Sequence, residues 1–191
     1  MPSISLQRWF SQRARNLDQM EAAHQAIGGA SRGRRYAVEQ INHAYAVLLS
    51  SQFQGFCRDL HSEAANIVLG HALVAPVRAL LTPALTHGRK LDVGNPNPGN
   101  IGSDFNRFGL LFWDEVRSAY AYGNTWHDRL QQLSVWRNAI AHQDFDEQVL
   151  GGKVLRLASV RSWRRACDGL SRGFDVVMSR HLRSIIGARA W

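Results

Sequence analysis

Arg137, Asn138 and His142 stand together in the stretch WRNAIAHQDF at 136–145, the polar cluster of this chain with the clearest chemical logic. A histidine can move a proton near neutral pH, and an arginine can stabilise charge on a phosphate in flight. Those are the two tasks of RNA cleavage without a metal. A base takes the proton of the 2′-hydroxyl, whose oxygen attacks the adjacent phosphorus. An acid then protonates the departing 5′-oxygen while the cation stabilises the phosphorane. One helix supplies one histidine and two protons must move, so a second copy of the helix facing the first would complete the site. A plainer reading stands beside this one. A cation in the last turn of a helix favours the helix dipole, and an arginine can simply bind a buried carboxylate.

The placement of Arg137 sharpens the question. Trp126, Leu130, Leu133 and Ile140 recur at helical spacing, which predicts an amphipathic helix opening at Asn124 or Thr125. At about 100° per residue, Arg137 falls near the middle of its apolar stripe. An unpaired buried charge costs several kcal/mol, so the guanidinium must meet a partner, a cavity or another chain. Asn138 and His142, four apart, share a face, with Arg137 on the adjacent inward one.

The elements that must position this helix read as helical too. Leu6–Ala26 is a first helix, ended by the breaker cluster IGGASRGRR. Arg35–Leu73 keeps one apolar face over many turns. Pro76 suits the first turn of a third helix through Thr86. RKLDVGNPNPGNIGSDFNRFG is turn chemistry and reads as an ordered loop that no helix interior could carry, and Ser103 or Asp104 then caps a short helix through Val116. After the motif, VLGGKVLRLAS suggests a short hairpin or extended piece, and Ser159 opens a last helix to Ile186. The class is all-α: one domain over 1–191, with an N-terminal helix and linker at 1–33 and a core bundle at 34–191, about five or six helices in all.

Further candidates are weaker. Asp59 and Glu63, four apart on the long helix, could orient Arg137 or tune His142, or could pair with Arg58 or face water. Cys57 and His61 have ligand spacing, but there is no second such pair, so no metal is expected, and no cofactor either. The segment GNPNPGNIG could cradle a phosphate with its amides but lacks the Lys-Ser/Thr of a P-loop. The last helix carries Arg161, Arg164, Arg165, Arg172, Arg180, Arg183 and Arg189. A solvated face is the default; with RNA nearby, part of it becomes a phosphate track, for which Arg161, Arg164 and Arg165 are the first candidates.

The bulk numbers set bounds. The chain has 191 residues, 45% of them hydrophobic, enough for one domain with a core. No apolar run is long enough to cross a membrane as a helix, and the start lacks the pattern of a secretory signal. Two cysteines make no disulfide framework, and a reducing cytosol is the simplest home. Lys+Arg of 23 against Asp+Glu of 15 gives +8, nearly all of it arginine. Arginine is the usual holder of nucleic-acid backbone, though a GC-rich genome would produce the same bias on ordinary surfaces.

RNAIAH at 137–142 resembles the R-x4-6-H signature of HEPN domains, in the form where Asn follows the Arg. The long helix with SSQFQGFCRDLHSEA, the GNPNPGNIG segment and a motif helix followed by a return helix are similar to the RiboL-PSP-type branch, across roughly residues 35–187. The resemblance implies a helical bundle that dimerises, with both motif helices lining one cleft. It also implies a metal-independent endoribonuclease acting as a toxin or antiphage effector, with RNA as substrate and an antitoxin or sensor as partner. One departure matters. Relatives silenced by adenylylation carry a tyrosine two positions after the histidine, and Asp144 stands there in this chain. The superfamily also includes inactive members that serve as dimer or scaffold units. Three readings follow: an endoribonuclease, a non-catalytic interaction module, and a nucleic-acid-binding helical protein without chemistry.

Overall fold

The structure, a computed structural model, describes residues 1–27, 35–72, 74–152 and 154–191. The chain is all-helical, with no strand among those residues. Helix α1 (Ile4–Arg8) passes through a π-helical turn (Trp9–Arg13) into α2 (Ala14–Ile27), so the first predicted helix is present with a bulge inside it. The breaker cluster that follows lies outside the described residues. The longest helix is α3 (Arg35–His71); α4 (Ala75–Thr86) follows, with proline in its first turn as expected. The motif helix α8 (Gly123–His142) and the last helix α10 (Leu157–Ile186) pack against each other and against α3, while α1 and α2 lie along α3.

The segment rich in Gly, Asn and Pro departs from expectation, because it contains helices. A short α5 (Lys90–Val93) precedes α6 (Pro98–Phe105), a 3-10 turn (Asn106–Phe108) and α7 (Phe112–Ala119). Proline at the head of α6 is compatible with a helix because its missing N–H has no partner there in any helix. Asn97 caps α6, its side chain accepting from the Asn100 amide at 2.7 Å. Asp104 does not cap a helix of its own. It lies inside α6, fully buried, and its two carboxylate oxygens accept the Lys90 and Leu91 amides at 2.9 and 2.8 Å, capping α5 from across the fold. Of the hairpin or extended piece expected over Val149–Ser159, the hairpin is not formed among the described residues, while Arg156 has extended backbone. A short α9 (Glu147–Leu150) ends at left-handed Gly151, Lys153 lies outside the described residues, and α10 begins two residues early. Together these short elements take the helix count beyond five or six.

Aromatic rings fill the core. Phe174 of α10 meets Phe112 at 4.7 Å, Trp113 at 5.4 Å, and Phe53 and Phe105 at 6.0 Å. Glycine permits close approach of α8 and α10: a Cβ on Gly169 of α10 would lie 2.5 Å from the Trp126 ring, so the indole of α8 seats directly on α10. The N-terminal helix belongs to the same core. Trp9 and Leu17 are completely buried, and the Trp9 indole donates to Asp168 at 2.9 Å. No helix among the described residues is long and apolar enough to cross a membrane.

His61 is the histidine the core holds neutral. It is fully buried, its Nε2 lies 3.1 Å from the Asp104 carbonyl, to which the neutral ring donates, and Nδ1 has no partner. Burial first, then the nearby Arg89 cation, pushes its pKa down to about 4. The unfolded chain therefore takes up this proton at higher pH than the folded one. The contribution is fully present above about pH 6.5 and is lost as pH falls towards 4, reaching roughly 3 kcal/mol. Urea midpoints measured from pH 7 to 4 should fall more steeply for the wild type than for His61→Leu, and parallel curves would remove His61 from the account of acid sensitivity.

Candidate functional site

Helix α8 explains where the motif ends up. Its buried residues are Gly123, Leu130, Leu133, Ser134, Trp136 and Ala139, after which Ile140 is half-buried and Ala141 and His142 are exposed. Trp136 approaches Trp163 of α10 and His43 of α3 at 6.5 and 6.4 Å, the last ring contacts before the helix leaves the bundle. Gln143, with a φ of 56°, closes the helix, and the Asp144 amide donates to the Ala139 carbonyl at 3.0 Å. The chain then turns back, and Phe145 stacks on His43 at 5.4 Å. Burial lowers the His43 pKa, against an opposing pull from Glu39.

Arg137 is half-buried and makes no ion pair among the described residues. Its guanidinium reaches the Asn138 side-chain oxygen at 3.4 Å. That same oxygen accepts from the Asn95 amide, which arrives from the segment between α5 and α6. The segment is fixed from behind: the Gln54 amide of α3 donates to the Leu91 and Gly94 carbonyls at 2.7 and 2.8 Å, and Asn100 donates to the Asn95 carbonyl at 2.8 Å. Its role here is that of an ordered connection that brings Asn95 to the motif.

Asn138 and His142 line a pocket of about 390 Å³ with Val135, Asp144, Asp146 and Val149. Arg137 is not in its lining. The structure thus brings Asn138 and His142 together in one opening and holds Arg137 on the neighbouring flank, linked through Asn138. Sequence reading passed over Asn95, Asp146 and Val149. Asp146 had a legible signal, since an Asp followed by Glu marks a helix start, and its carboxylate does accept the Gln148 amide at 2.8 Å. Asn95 carried no such signal, because its contact is made across the fold.

Two other expectations are corrected. Asp59 and Glu63 do not reach the motif. Asp59 pairs with Arg13 at 2.9 Å, and Glu63 accepts from the Ile4 and Ser5 amides at 2.9 and 3.0 Å and from the Ser5 hydroxyl at 2.7 Å. Both tie the N-terminal helix to α3. Of the three arginines expected to form a phosphate track, Arg161 pairs with Glu21 at 2.6 Å and Arg164 with Asp18 at 2.6 Å. Those two join α10 to α2, which leaves only Arg165 exposed and free of an ion pair among the described residues.

No family model, curated protein or solved structure matches the chain. The chemistry of the site therefore rests on its own residues.

Proposed function

We propose that the chain is a metal-independent endoribonuclease of the HEPN type, a toxin or antiphage effector that cleaves RNA through attack by the 2′-hydroxyl. The observation that carries this reading is the open pocket shared by Asn138 and His142, beside a half-buried Arg137 that makes no ion pair among the described residues. In this reading His142 moves the proton, Arg137 stabilises charge on the phosphorane, and Asn138 holds the guanidinium side of the site. Transesterification uses a base and an acid, so a two-fold dimer supplies the second imidazole. Phe145 and Val149, apolar and exposed beside the motif, give a second copy something to bury. Those same exposed residues favour the second reading, a non-catalytic HEPN interaction module in a defence or toxin–antitoxin complex, in which this face only binds. The cytosol remains the compartment we propose, with an antitoxin or sensor protein as partner.

Incubation of the purified protein with total RNA or tRNA in excess EDTA is expected to give cleavage, with 2′,3′-cyclic phosphate or 3′-phosphate ends. Strict dependence on added magnesium would remove the 2′-hydroxyl mechanism. An intact substrate under all conditions would favour the interaction module.

A further inference from the structure

At the far end of the bundle from His142, a groove of about 1290 Å³ runs between the N-terminal helix and the last turns of α10. Its cations are Arg172, Arg180, Arg183 and Arg189. At 100° per residue, Arg172, Arg180 and Arg183 fall within about 80° of one another, so they form one stripe along the groove. All four are exposed; Arg172, Arg180 and Arg183 make no ion pair among the described residues, unlike Arg161 and Arg164 on the same helix, while Arg189 donates to the Trp191 main-chain oxygen at 2.8 Å. The acidic residue in the lining, Asp175, is 5% exposed and accepts the Ser3 amide at 3.0 Å, so it does not neutralise them. Aromatic rings share the lining with the charges. The Arg172 guanidinium lies 4.0 Å from the centre of the Phe10 ring, and Tyr120 and Trp191 complete the walls.

Unpaired guanidinium forks suit phosphate, and aromatic rings in the same groove suit bases, which stack without regard to sequence. An acidic peptide would meet the cations but bring nothing planar to the rings. Drug-sized ligands fill pockets of about 300–1,000 Å³, so this groove has room for more than a mononucleotide. We propose that it binds single-stranded nucleic acid. The site is separate from the motif: Tyr120 lies just before α8 and His142 ends it, and a helix of 20 residues spans about 30 Å. The proposal goes beyond the cleavage reaction, because a strand held here is held whether or not it is cut.

Fluorescence anisotropy with a labelled, single-stranded 2′-O-methyl oligoribonucleotide tests it, since this probe lacks the nucleophile and cannot be cleaved. The double variant Arg180→Ala/Arg183→Ala should bind at least tenfold more weakly. Its plot of log K against log salt should be shallower by about 1.4, at roughly 0.7 per phosphate contact on a single strand. Phe10→Leu should weaken binding about tenfold, the size of one lost stacking contact, with the salt slope unchanged. His142→Ala should bind as the wild type does, which separates failure of this site from failure of the catalytic reading. Both arginines are exposed, so far-UV circular dichroism should show unchanged helicity, and single Arg183→Gln carries the same test if the double variant loses it. Equal affinity in the arginine variants overturns the proposal, as does loss of binding confined to His142→Ala. Displacement of the probe by polyglutamate at equal charge also overturns it and assigns the groove to an acidic protein segment.

Discussion

His142→Ala is expected to lower RNA cleavage by about 10²–10⁴-fold, the range for a lost general acid or base. The side chain is exposed at the end of α8 and makes no side-chain hydrogen bond among the described residues, so the fold does not depend on it. Thermal melts of the variant and the wild type should superimpose, which assigns the lost activity to chemistry. Arg137→Ala should do comparable damage. Arg137→Lys should recover only part of it, because an ammonium is a point charge and cannot reproduce a planar fork. Cleavage at wild-type rate in all three variants would sink the catalytic reading and leave the interaction module.

The largest effect on stability is expected at Phe174. The ring is completely buried and touches aromatic side chains from α3, α6 and α7, so alanine there leaves a cavity that no single helix can close by shifting. Truncations of this kind cost about 3–5 kcal/mol. Urea denaturation of Phe174→Ala should show the unfolding free energy lowered by that amount, through a lower midpoint at constant slope. Phe174→Leu, which refills most of the volume, should lose much less. A cost below 1 kcal/mol (roughly that of a volume-conserving exchange) would mean that the aromatic cluster is looser than its ring distances indicate.

Much of the scaffold was legible because long helices advertise themselves by period. The bounds of α3, α4, α8 and α10 fall within a few residues of where apolar spacing, prolines and caps placed them. The misses share one physical origin, which is that a local rule was overruled by a contact far away in sequence. PGNIGSDF reads as turn, yet Asn97, Pro98 and the buried face of Ile101 and Phe105 make it a helix once Trp113 and the core lie against it. Arg137 shows the limit of periodicity most clearly. Its angle on α8 is the apolar one, but it stands in the last buried turn, between Trp136 and Ala139, and is only half-buried, and an angular pattern carries no information about where the bundle stops. Asp59 and Glu63 failed for the same reason. Their spacing on α3 was visible, and the partners that claim them, Arg13 for Asp59 and Ile4 and Ser5 for Glu63, were not.

That N-terminal segment also sets the order in which the molecule can be completed. Within residues 3–13, donors go to four carboxylates: Ser3 to Asp175, Ile4 and Ser5 to Glu63, Trp9 to Asp168, and Arg13 to Asp59. The Ser3–Asp175 bond joins residues 172 apart, and the Trp9–Asp168 bond residues 159 apart. This segment is made before α3 and α10 yet is among the last to find its partners, and until α10 emerges it can satisfy only the α3 half of them. Contacts this distant bear the loop-closure cost that slows folding. The early chain is left in the meantime with Trp9 and Leu17 uncovered, the kind of exposed apolar surface on which a nascent chain is captured by chaperones or by its own copies.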